Sequence, residues 1–274
     1  MRFEVHACGD PGGGKLALLL HGFPEHAHSW RHQLPLLARH GYLAWAPNQR
    51  GYGKTTRPEG VEAYRTELLV EDVAALVDAA GCREVILFGH DWGGVVAWLF
   101  AIEQVRPLER LVVMNIPHPA LFAEALRSNP TQQKRSRYIR FFQIPWLPEF
   151  LMRRKGAEMV AKAFTSMAID KSRFPEADLA VYRENALQPG AATAMLNWYR
   201  AARFIHESVE YPLVEVPTLM IWGEEDTALG KELSYGTDEL VRDFTVRYLP
   251  DVSHWVQQEA PEQVNAILEE WLTR

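Results

Sequence analysis

The chain has 274 residues, which is enough for one large α/β domain or for a domain with an insertion. Its charged fraction of 23% and hydrophobic fraction of 47% are typical of a globular protein and exclude an intrinsically disordered one. The net charge of -6 gives no overall positive field, so we expect no nucleic-acid partner, and the short basic run at 134–140 fits a solvated helix face.

The N-terminus and the two cysteines indicate neither export nor metal binding. No charged segment followed by an apolar run begins the chain, and no apolar stretch approaches the roughly 18 residues that span a bilayer. Cys8 and Cys82 lack metal-ligand spacing and form no disulfide framework. We therefore expect a cytoplasmic protein with no membrane partner, no metal and no cofactor. The sequence leaves the oligomeric state open.

Short apolar runs alternate with segments of helical period along most of the chain. This alternation is typical of βαβ units around a mostly parallel sheet that is flanked by helices. The predicted strands are 3–7, 16–20, 42–47, 84–88, 111–115, 218–222 and 245–249. The predicted helices are 30–39, 67–80, 94–104 and 261–272.

The alternation stops between about residues 117 and 212. This stretch is rich in aromatic residues, arginine and alanine, and it contains helical periods but no convincing strand. Because it lies between two predicted strands, we expect a helical cap over 118–211, inserted in a core domain formed by 1–117 and 212–274. Ligands of open α/β sheets bind at the carboxyl ends of the strands, so a cap inserted there would cover the active site.

The segment FGHDWGGVV at 88–96 has the pattern of a nucleophile on a tight turn between a strand and a helix. An aspartate before a helix can also be a simple N-cap. A cap does not require glycines at 89, 93 and 94, however, whereas a sharp turn with close strand–helix packing does. The pattern therefore favours Asp91 as a nucleophile, in an α/β-hydrolase fold.

The loop HGFP after the second predicted strand is the candidate partner of that turn. In nucleophile-elbow enzymes one oxyanion-hole NH comes from such a loop and the other from the residue after the nucleophile. These NH groups would belong to Phe23 and Trp92. On its own HGFP is equally consistent with an ordinary turn.

Two later strand ends supply an acid and a base. This fold uses the chain order nucleophile, acid, histidine, so WGEED favours Asp226 as the acid, with Glu224 and Glu225 as competitors. His254 follows the last predicted strand. A single histidine is more often structural, but the order Asp91, Asp226, His254 at three strand ends is much more specific.

An aspartate nucleophile indicates attack on sp3 carbon. Serine would form an ether there, which the same machinery cannot cleave, whereas the Asp91 carboxylate would form an ester whose carbonyl water can attack. The substrate is therefore an epoxide or an alkyl halide. A halide leaves as a stable anion, but the alkoxide of an opened epoxide benefits from a neutral acid such as tyrosine, whose ordinary pKa is about 10.

The predicted cap contains Tyr138, Tyr182 and Tyr199. Tyr138 shares a helical spacing with Phe141 and Phe142, which is also typical of a core stripe. The surroundings of Tyr199 are equally ambiguous. Sequence spacing alone does not select a pair.

The chain resembles the soluble epoxide hydrolases of the α/β-hydrolase superfamily over nearly its whole length. The shared motifs are HGFPEHAHSW, RGYG, GHDWGG, FFQIPWLPE, LNWYR, WGEED and SHWVQQEAPEQVN. The resemblance implies that the cap tyrosines are Tyr138, which precedes the FQ of the first cap motif, and Tyr199, inside NWYR. It also implies Asp91 as nucleophile, Asp226 with His254 as the charge pair, and HGFP as the oxyanion loop. The activity it implies is hydrolysis of a small epoxide by water to a vicinal diol, without a cofactor.

Two other classes of protein stay open. Haloalkane dehalogenases share Asp-Trp-Gly, but their second halide donor is often an asparagine at the position of Phe23. Haloacid dehalogenases that act on fluoroacetate usually have arginine where this chain has Trp92. A non-enzymatic binding protein of the hydrolase fold is the third hypothesis, and the presence of all five proposed reactive groups disfavours it.

Overall fold

The computed structural model describes residues 1–202 and 211–273. Each run that the sequence predicts as a strand overlaps a strand of the structure. The strands are β1 Val5–Cys8, β2 Lys15–Leu20, β3 Leu43–Pro47, β4 Glu84–His90, β5 Arg110–Met114, β6 Thr218–Gly223 and β7 Phe244–Leu249.

The strands form one sheet with the order β1-β3-β2-β4-β5-β6-β7. β1 runs antiparallel to β3, and every other neighbouring pair among the described strands is parallel. The structure therefore has the mostly parallel α/β architecture that the sequence predicts. Parallel pairing brings the carboxyl ends of β2, β4, β6 and β7 to one edge of the sheet, where the candidate reactive residues follow.

Helices cover both faces of this sheet. They are α1 Gln33–Arg39, α2 Thr66–Ala80, α3 Trp92–Ile102, α10 Val256–Glu259 and α11 Pro261–Leu272. The helix predicted from residue 30 begins only at Gln33, because Ala27–Trp30 forms a separate 3-10 turn. Among these residues and the rest of the described chain, no helix is both long and apolar enough to cross a membrane.

The alternating side chains of β2 show how the sheet joins two hydrophobic layers. Leu16, Leu18 and Leu20 pack in the layer that contains α2 and α3. Ala17 and Leu19 point to the other face and pack with α1 and α11. All five side chains are fully buried, which explains the continuous apolar run in the sequence.

A helical insertion lies between β5 and β6, as predicted. Its described helices are α4 Pro119–Ser128, α5 Pro130–Arg135, α6 Arg137–Phe142, α7 Leu147–Met167, α8 Glu176–Leu187 and α9 Ala191–Ala201. α7 is interrupted at 154–157, where the backbone leaves helical geometry. The end of the predicted cap at 203–210 lies outside the described residues.

Hydrogen bonds fix the insertion to loops of the sheet domain. The indole NH of Trp198 in α9 donates to the Arg50 carbonyl at 3.1 Å. In α8, Asp178 accepts a hydrogen bond from Arg31 at 2.8 Å. Trp198 is fully buried, and its neighbour in α9 is one of the candidate tyrosines. The position of that tyrosine is therefore tied to the sheet domain.

The turn between β4 and α3 depends on very close backbone packing. Asp91 has φ 48° and ψ -122°, which few non-glycine residues adopt. A Cβ atom at Gly89 would lie 2.5 Å from the Gly93 carbonyl oxygen, and one at Gly93 would lie 2.2 Å from the Leu20 carbonyl oxygen. The glycines thus let α3 start directly behind the strained residue.

We expect Gly93→Ala to lower the free energy of unfolding by about 2 kcal/mol or more, because backbone atoms must move to accept the methyl group. Gly12→Ala is the matched control: Gly12 is exposed, and its Cβ would meet only the flexible Asp10 side chain, at 3.3 Å. Chemical denaturation measures both values. Equal stability of the two variants would contradict the packing argument.

Candidate active site

Asp91 lies at the carboxyl end of β4 with one carboxylate oxygen held in place. Its Oδ1 accepts a hydrogen bond from the Phe23 backbone NH at 2.8 Å. Gly22 permits this approach, since a Cβ atom there would lie 2.5 Å from the Asp91 Cβ. Trp92 is the first residue of α3, so its backbone NH belongs to the helix end beside the carboxylate. The two residues predicted to form an oxyanion hole therefore flank Asp91.

His254 stands between Asp91 and Asp226. Its Nδ1 lies 2.6 Å from Asp226 Oδ2, and its Nε2 lies 3.6 Å from Asp91 Oδ2. The first distance is a short hydrogen bond, whereas the second exceeds hydrogen-bonding range. The ring is thus oriented by Asp226 while Oδ2 of Asp91 remains available to a substrate.

Asp226 is buried and held by three donors besides His254. Its Oδ1 accepts from the backbone NH groups of Ala228 and Leu229 at 2.8 and 2.9 Å. Its Oδ2 accepts from the Asn115 side chain at 2.8 Å. The competing acids point elsewhere: Glu224 pairs with Lys231 at 2.6 Å, and Glu225 is exposed. Of the three acids after β6, Asp226 is the one in contact with His254.

The charges around His254 strongly change its pKa. Burial alone would lower it, but the carboxylates of Asp226 and Asp91 together raise the pKa of His254 to about 10. Burial likewise disfavours the Asp91 carboxylate, yet the His254 ring and the Phe23 NH lower the pKa of Asp91 below its ordinary value. At neutral pH the pair is therefore a carboxylate beside an imidazolium.

Tyr138 and Tyr199 reach the same place from the cap. Their ring centroids lie 5.9 Å apart, and the Tyr199 ring also lies 5.1 Å from the Trp92 ring. Burial, together with the nearby Asp91 charge, raises the pKa of both phenols, so both stay neutral. The third cap tyrosine, Tyr182, instead donates to Gln258. The structure thus brings together the two tyrosines that the resemblance selects.

Two cavities meet at Asp91 and the two tyrosines. The larger has a volume of about 270 Å³, and His254 also lines it, together with apolar side chains of α7. The smaller has a volume of about 30 Å³. The remaining walls of the smaller cavity are Trp92, Val95, Ile116, Phe122, Ile139 and Leu229. A reactant at Asp91 therefore has ample space on one side and little on the other.

Sequence reasoning missed a buried pair beneath this site, Glu25 and His90. Both side chains are fully buried, and Oε2 of Glu25 lies 2.8 Å from His90 Nδ1. His90 Nε2 lies 2.8 Å from the His254 carbonyl oxygen. Each ring nitrogen of His90 therefore lies within hydrogen-bonding distance of an oxygen. The pair thus supports the backbone of His254.

The supporting residues stand in or beside recognisable sequence motifs, but the partners lie far apart along the chain. Glu25 belongs to HGFPE and His90 to GHDWGG, but 65 positions separate them. Asn115 directly follows β5, as a polar residue after an apolar run, and the sequence alone assigned it no role. In the described chain no cluster of three or more histidine, cysteine, aspartate or glutamate side chains could hold a metal ion.

Comparison with known proteins identifies the family. A family model described as alpha/beta hydrolase fold matches residues 17–261. Epoxide hydrolase 4 of Mus musculus is 37% identical over 98% of this chain and 75% of its own length. The chain belongs to the epoxide hydrolase family. Epoxide hydrolase A of Mycobacterium tuberculosis is likewise 34% identical over the whole chain and 94% of its own length.

Solved epoxide hydrolase structures share the fold. Crystal structures of an epoxide hydrolase from Bacillus megaterium superpose with a TM-score of 0.91 at 29% identity, covering 99% of this chain and 97% of that one. A variant of that enzyme was crystallised with its product, (R)-3-[1]naphthyloxy-propane-1,2-diol. These epoxide hydrolases confirm the α/β-hydrolase fold and the family resemblance. They leave the roles of individual residues as predictions.

We expect the His254 ring to keep its second proton at neutral pH and to lose it near pH 10, as its raised pKa requires. Asp91→Asn should lower this pKa because one of two carboxylates is lost, and Asp226→Asn should lower it further because that carboxylate lies closer. NMR titration of the labelled imidazole measures all three values. A wild-type ring that titrates near pH 6.5, or an order in which Asp91→Asn has the larger effect, would contradict the geometry.

Proposed function

We propose that this protein hydrolyses epoxides to vicinal diols through a covalent ester on Asp91. The observation that carries the proposal is the pair of neutral hydroxyls, Tyr138 and Tyr199, which share both cavities with the Asp91 carboxylate. A carboxylate and two hydroxyl donors around one space suit a substrate with an electrophilic carbon next to an ether oxygen. The proposal includes the division into a core, 1–117 and 212–274, and a cap, 118–211.

In the first step Asp91 attacks a ring carbon. Oδ1 accepts a hydrogen bond from the Phe23 backbone NH, so the attacking atom is Oδ2, which lies 3.6 Å from His254 Nε2. A C–O bond forms to Oδ2 while the ring C–O bond breaks. The ring oxygen takes a proton from the tyrosine pair and becomes a hydroxyl group. Oδ1 is then the ester carbonyl oxygen, already in contact with the Phe23 NH.

The two tyrosines stabilise the leaving oxygen. Burial raises the pKa of each phenol, so neither ionises before a substrate binds. Two preorganised donors can share the negative charge that develops on the ring oxygen, and this stabilises the transition state. The neighbouring Tyr199 hydroxyl lowers the pKa of Tyr138 in part, against the effect of burial.

Ester formation changes the state of His254. It removes the negative charge of Asp91, one of the two carboxylates that hold the pKa of His254 at about 10. The pKa of His254 therefore falls, and the proton that the imidazolium loses returns to the tyrosine pair, in place of the one given to the ring oxygen. The histidine becomes a base only once the ester exists.

In the second step water attacks the ester carbonyl carbon of Asp91. His254, oriented by Asp226, takes one proton from the water. The negative charge develops on Oδ1, where the NH groups of Phe23 and Trp92 stabilise it. The bond from the carbonyl carbon to the alkyl oxygen then breaks, and that oxygen takes the remaining proton of the attacking water. The diol leaves, and Asp91 and His254 regain their opposite charges.

The origin of the diol oxygens tests this route. With enzyme in excess over epoxide in oxygen-18 water, we expect the first diol to be unlabelled, since its new oxygen comes from Asp91. The label should then be found in the Asp91 peptide by mass spectrometry. Full labelling of the first diol would show direct attack by water and overturn the covalent route.

His254→Gln offers a complementary observation. Without a base the ester should persist, and the Asp91 peptide should gain the mass of the epoxide. Asp91→Asn with the same epoxide is the matched control and should show no gain. An aryl glycidyl ether is a suitable first substrate, because a related epoxide hydrolase was crystallised with a diol of this kind.

We expect the double variant Tyr138→Phe, Tyr199→Phe to lose about 100-fold or more in kcat/KM for an epoxide, the usual contribution of a positioned acid. Tyr182→Phe is the matched control, because this buried cap tyrosine bonds to Gln258 and lies outside both cavity linings. Initial rates of diol formation measure the effect. Intact epoxide turnover in the double variant would refute the tyrosine assignment, and faster turnover of haloalkanes than of epoxides would favour a dehalogenase.

A further inference from the structure

The cap exposes large apolar side chains where α7 begins. Trp146, which directly precedes α7, is 71% exposed, and Phe150 in the first turn is 54% exposed. Ile144 is 42% exposed. Trp146 also has φ 55°, a left-handed conformation that few non-glycine residues adopt and that is found more often at functional sites. These three residues form an apolar tip, and neighbouring exposed apolar side chains commonly mark an interaction surface.

Cations follow the apolar tip along the same side of α7. The Phe150 NH donates to the Trp146 carbonyl at 2.9 Å, so these two positions are one helical turn apart. Arg153 lies three positions after Phe150, which places it on the same helical face. Arg154 and Lys155 come next, where the helix is interrupted, and all three cations are exposed. This basic segment, 153–155, therefore lies beside the apolar tip.

The charge of the basic segment is poorly neutralised. Within the described part of the chain, the side chains of Arg153 and Arg154 form no ion pair or hydrogen bond. Lys155 lies 3.9 Å from Glu158, and Lys162 lies 2.8 Å from the same carboxylate. Such exposed pairs contribute little. From residue 153 to 162 the sequence has four cations and one acid, although the whole chain has a net charge of -6. The local charge is thus opposite to the overall charge.

A surface cleft of about 290 Å³ lies at the interruption of α7. Arg154, Lys155 and Lys162 contribute positive charge to its wall, and Leu151 and Met159 contribute apolar surface. Cations next to apolar side chains suit an anionic head group that is attached to hydrocarbon. Met159 also lines the larger cavity at Asp91, so this side chain separates the cleft from the candidate active site.

We propose that this face of α7 docks on a membrane surface that contains anionic phospholipids. The apolar tip enters the boundary between head groups and hydrocarbon, where tryptophan is favoured because its ring is apolar and its NH is polar. The basic segment stays at the level of the head groups and is attracted by their negative charge. Burial of apolar area and electrostatic attraction add to each other in this kind of binding. The sequence excludes only a spanning helix, which peripheral docking does not require.

The charge pattern favours a lipid surface over a second copy of this chain. In a symmetric pair the same face of each copy meets its counterpart. The basic segments of the two copies would then come together, and like charges across an interface are unfavourable. An anionic membrane offers both the opposite charge and an apolar interior. It therefore matches the two parts of this face at once.

The experiment measures co-sedimentation of the full chain with lipid vesicles. Phosphatidylcholine vesicles are compared with vesicles in which about one third of the lipid is phosphatidylserine. For wild type we expect binding to the anionic vesicles to be tighter by about tenfold or more. High salt should weaken this binding, because it screens exposed charges.

Two groups of substitutions separate the parts of the surface. Replacing all three cations of the basic segment with glutamine should weaken binding to anionic vesicles about 100-fold, since each cation contributes roughly fivefold. The double variant Trp146→Ser, Phe150→Ser should weaken it about tenfold or more, because the buried apolar area is lost. Circular dichroism checks that both variants are folded, as expected for exposed positions.

Each variant has a matched control outside the helical insertion. The triple variant Arg2→Gln, Arg39→Gln, Arg83→Gln removes the same charge from three exposed arginines and should bind like wild type. Tyr235→Ser changes an aromatic residue that is 57% exposed, and it should also bind like wild type. These controls distinguish a local surface from a general effect of charge or hydrophobicity.

The outcomes decide the inference independently of epoxide hydrolysis. Loss of binding in both cap variants, with normal binding of both controls, would support it. No binding of wild type to anionic vesicles, or equal binding of wild type and the variant without the basic segment, would overturn it. Dimers of wild type in analytical ultracentrifugation that Trp146→Ser, Phe150→Ser abolishes, with no vesicle binding, would assign this face to a second copy instead.

Discussion

The backbone at Asp91, with φ 48° and ψ -122°, lifts one side chain away from both the strand before it and the helix after it. This geometry exists because Gly89 and Gly93 let α3 start within van der Waals distance of the sheet. Everything else in the site is arranged around that point: the Phe23 NH on one side, His254 on another and the cap tyrosines above. Strain of this kind persists only where the surrounding structure holds it in place.

Charge balance is the second constraint. Three ionisable groups, Asp91, Asp226 and His254, lie together in a largely buried site, and the imidazolium makes two carboxylates tolerable. A change in charge at one of them is felt by the others. The buried Glu25–His90 pair lies one layer deeper, where its contacts support the segment that carries His254.

Much of this fold follows from local sequence. Runs such as LALLL in β2 are apolar because both faces of a central parallel strand are covered, and the candidate reactive residues follow where such runs end. The order of Asp91, Asp226 and His254 could be predicted for that reason. Tyr138 and Tyr199 could not be selected by spacing, because a tyrosine that faces a cavity and one that faces a core share the same helical period. The motif resemblance selected them.

The remaining groups depend on contacts between distant parts of the chain. Asn115 supports Asp226 across 111 positions, and His90 reaches the His254 carbonyl across 164. No periodicity in one sequence encodes such pairings. The start of α1 was misplaced for a more local reason, because a 3-10 turn at Ala27–Trp30 has nearly the same apolar spacing as a helix.

The bond between Trp198 and the Arg50 carbonyl has a counterpart in α7. Tyr199 follows Trp198 directly, so the position of this tyrosine is anchored to the sheet domain. In α7, the Ala163 carbonyl accepts a hydrogen bond from the Trp255 indole at 3.3 Å, next to His254 in the chain. Met159 and Met167 lie on the same helix and line the same cavity as Ala163. Because that bond uses the backbone of Ala163, substitutions at the two methionines can change the shape of the cavity while both helices keep their hydrogen bonds to the sheet domain.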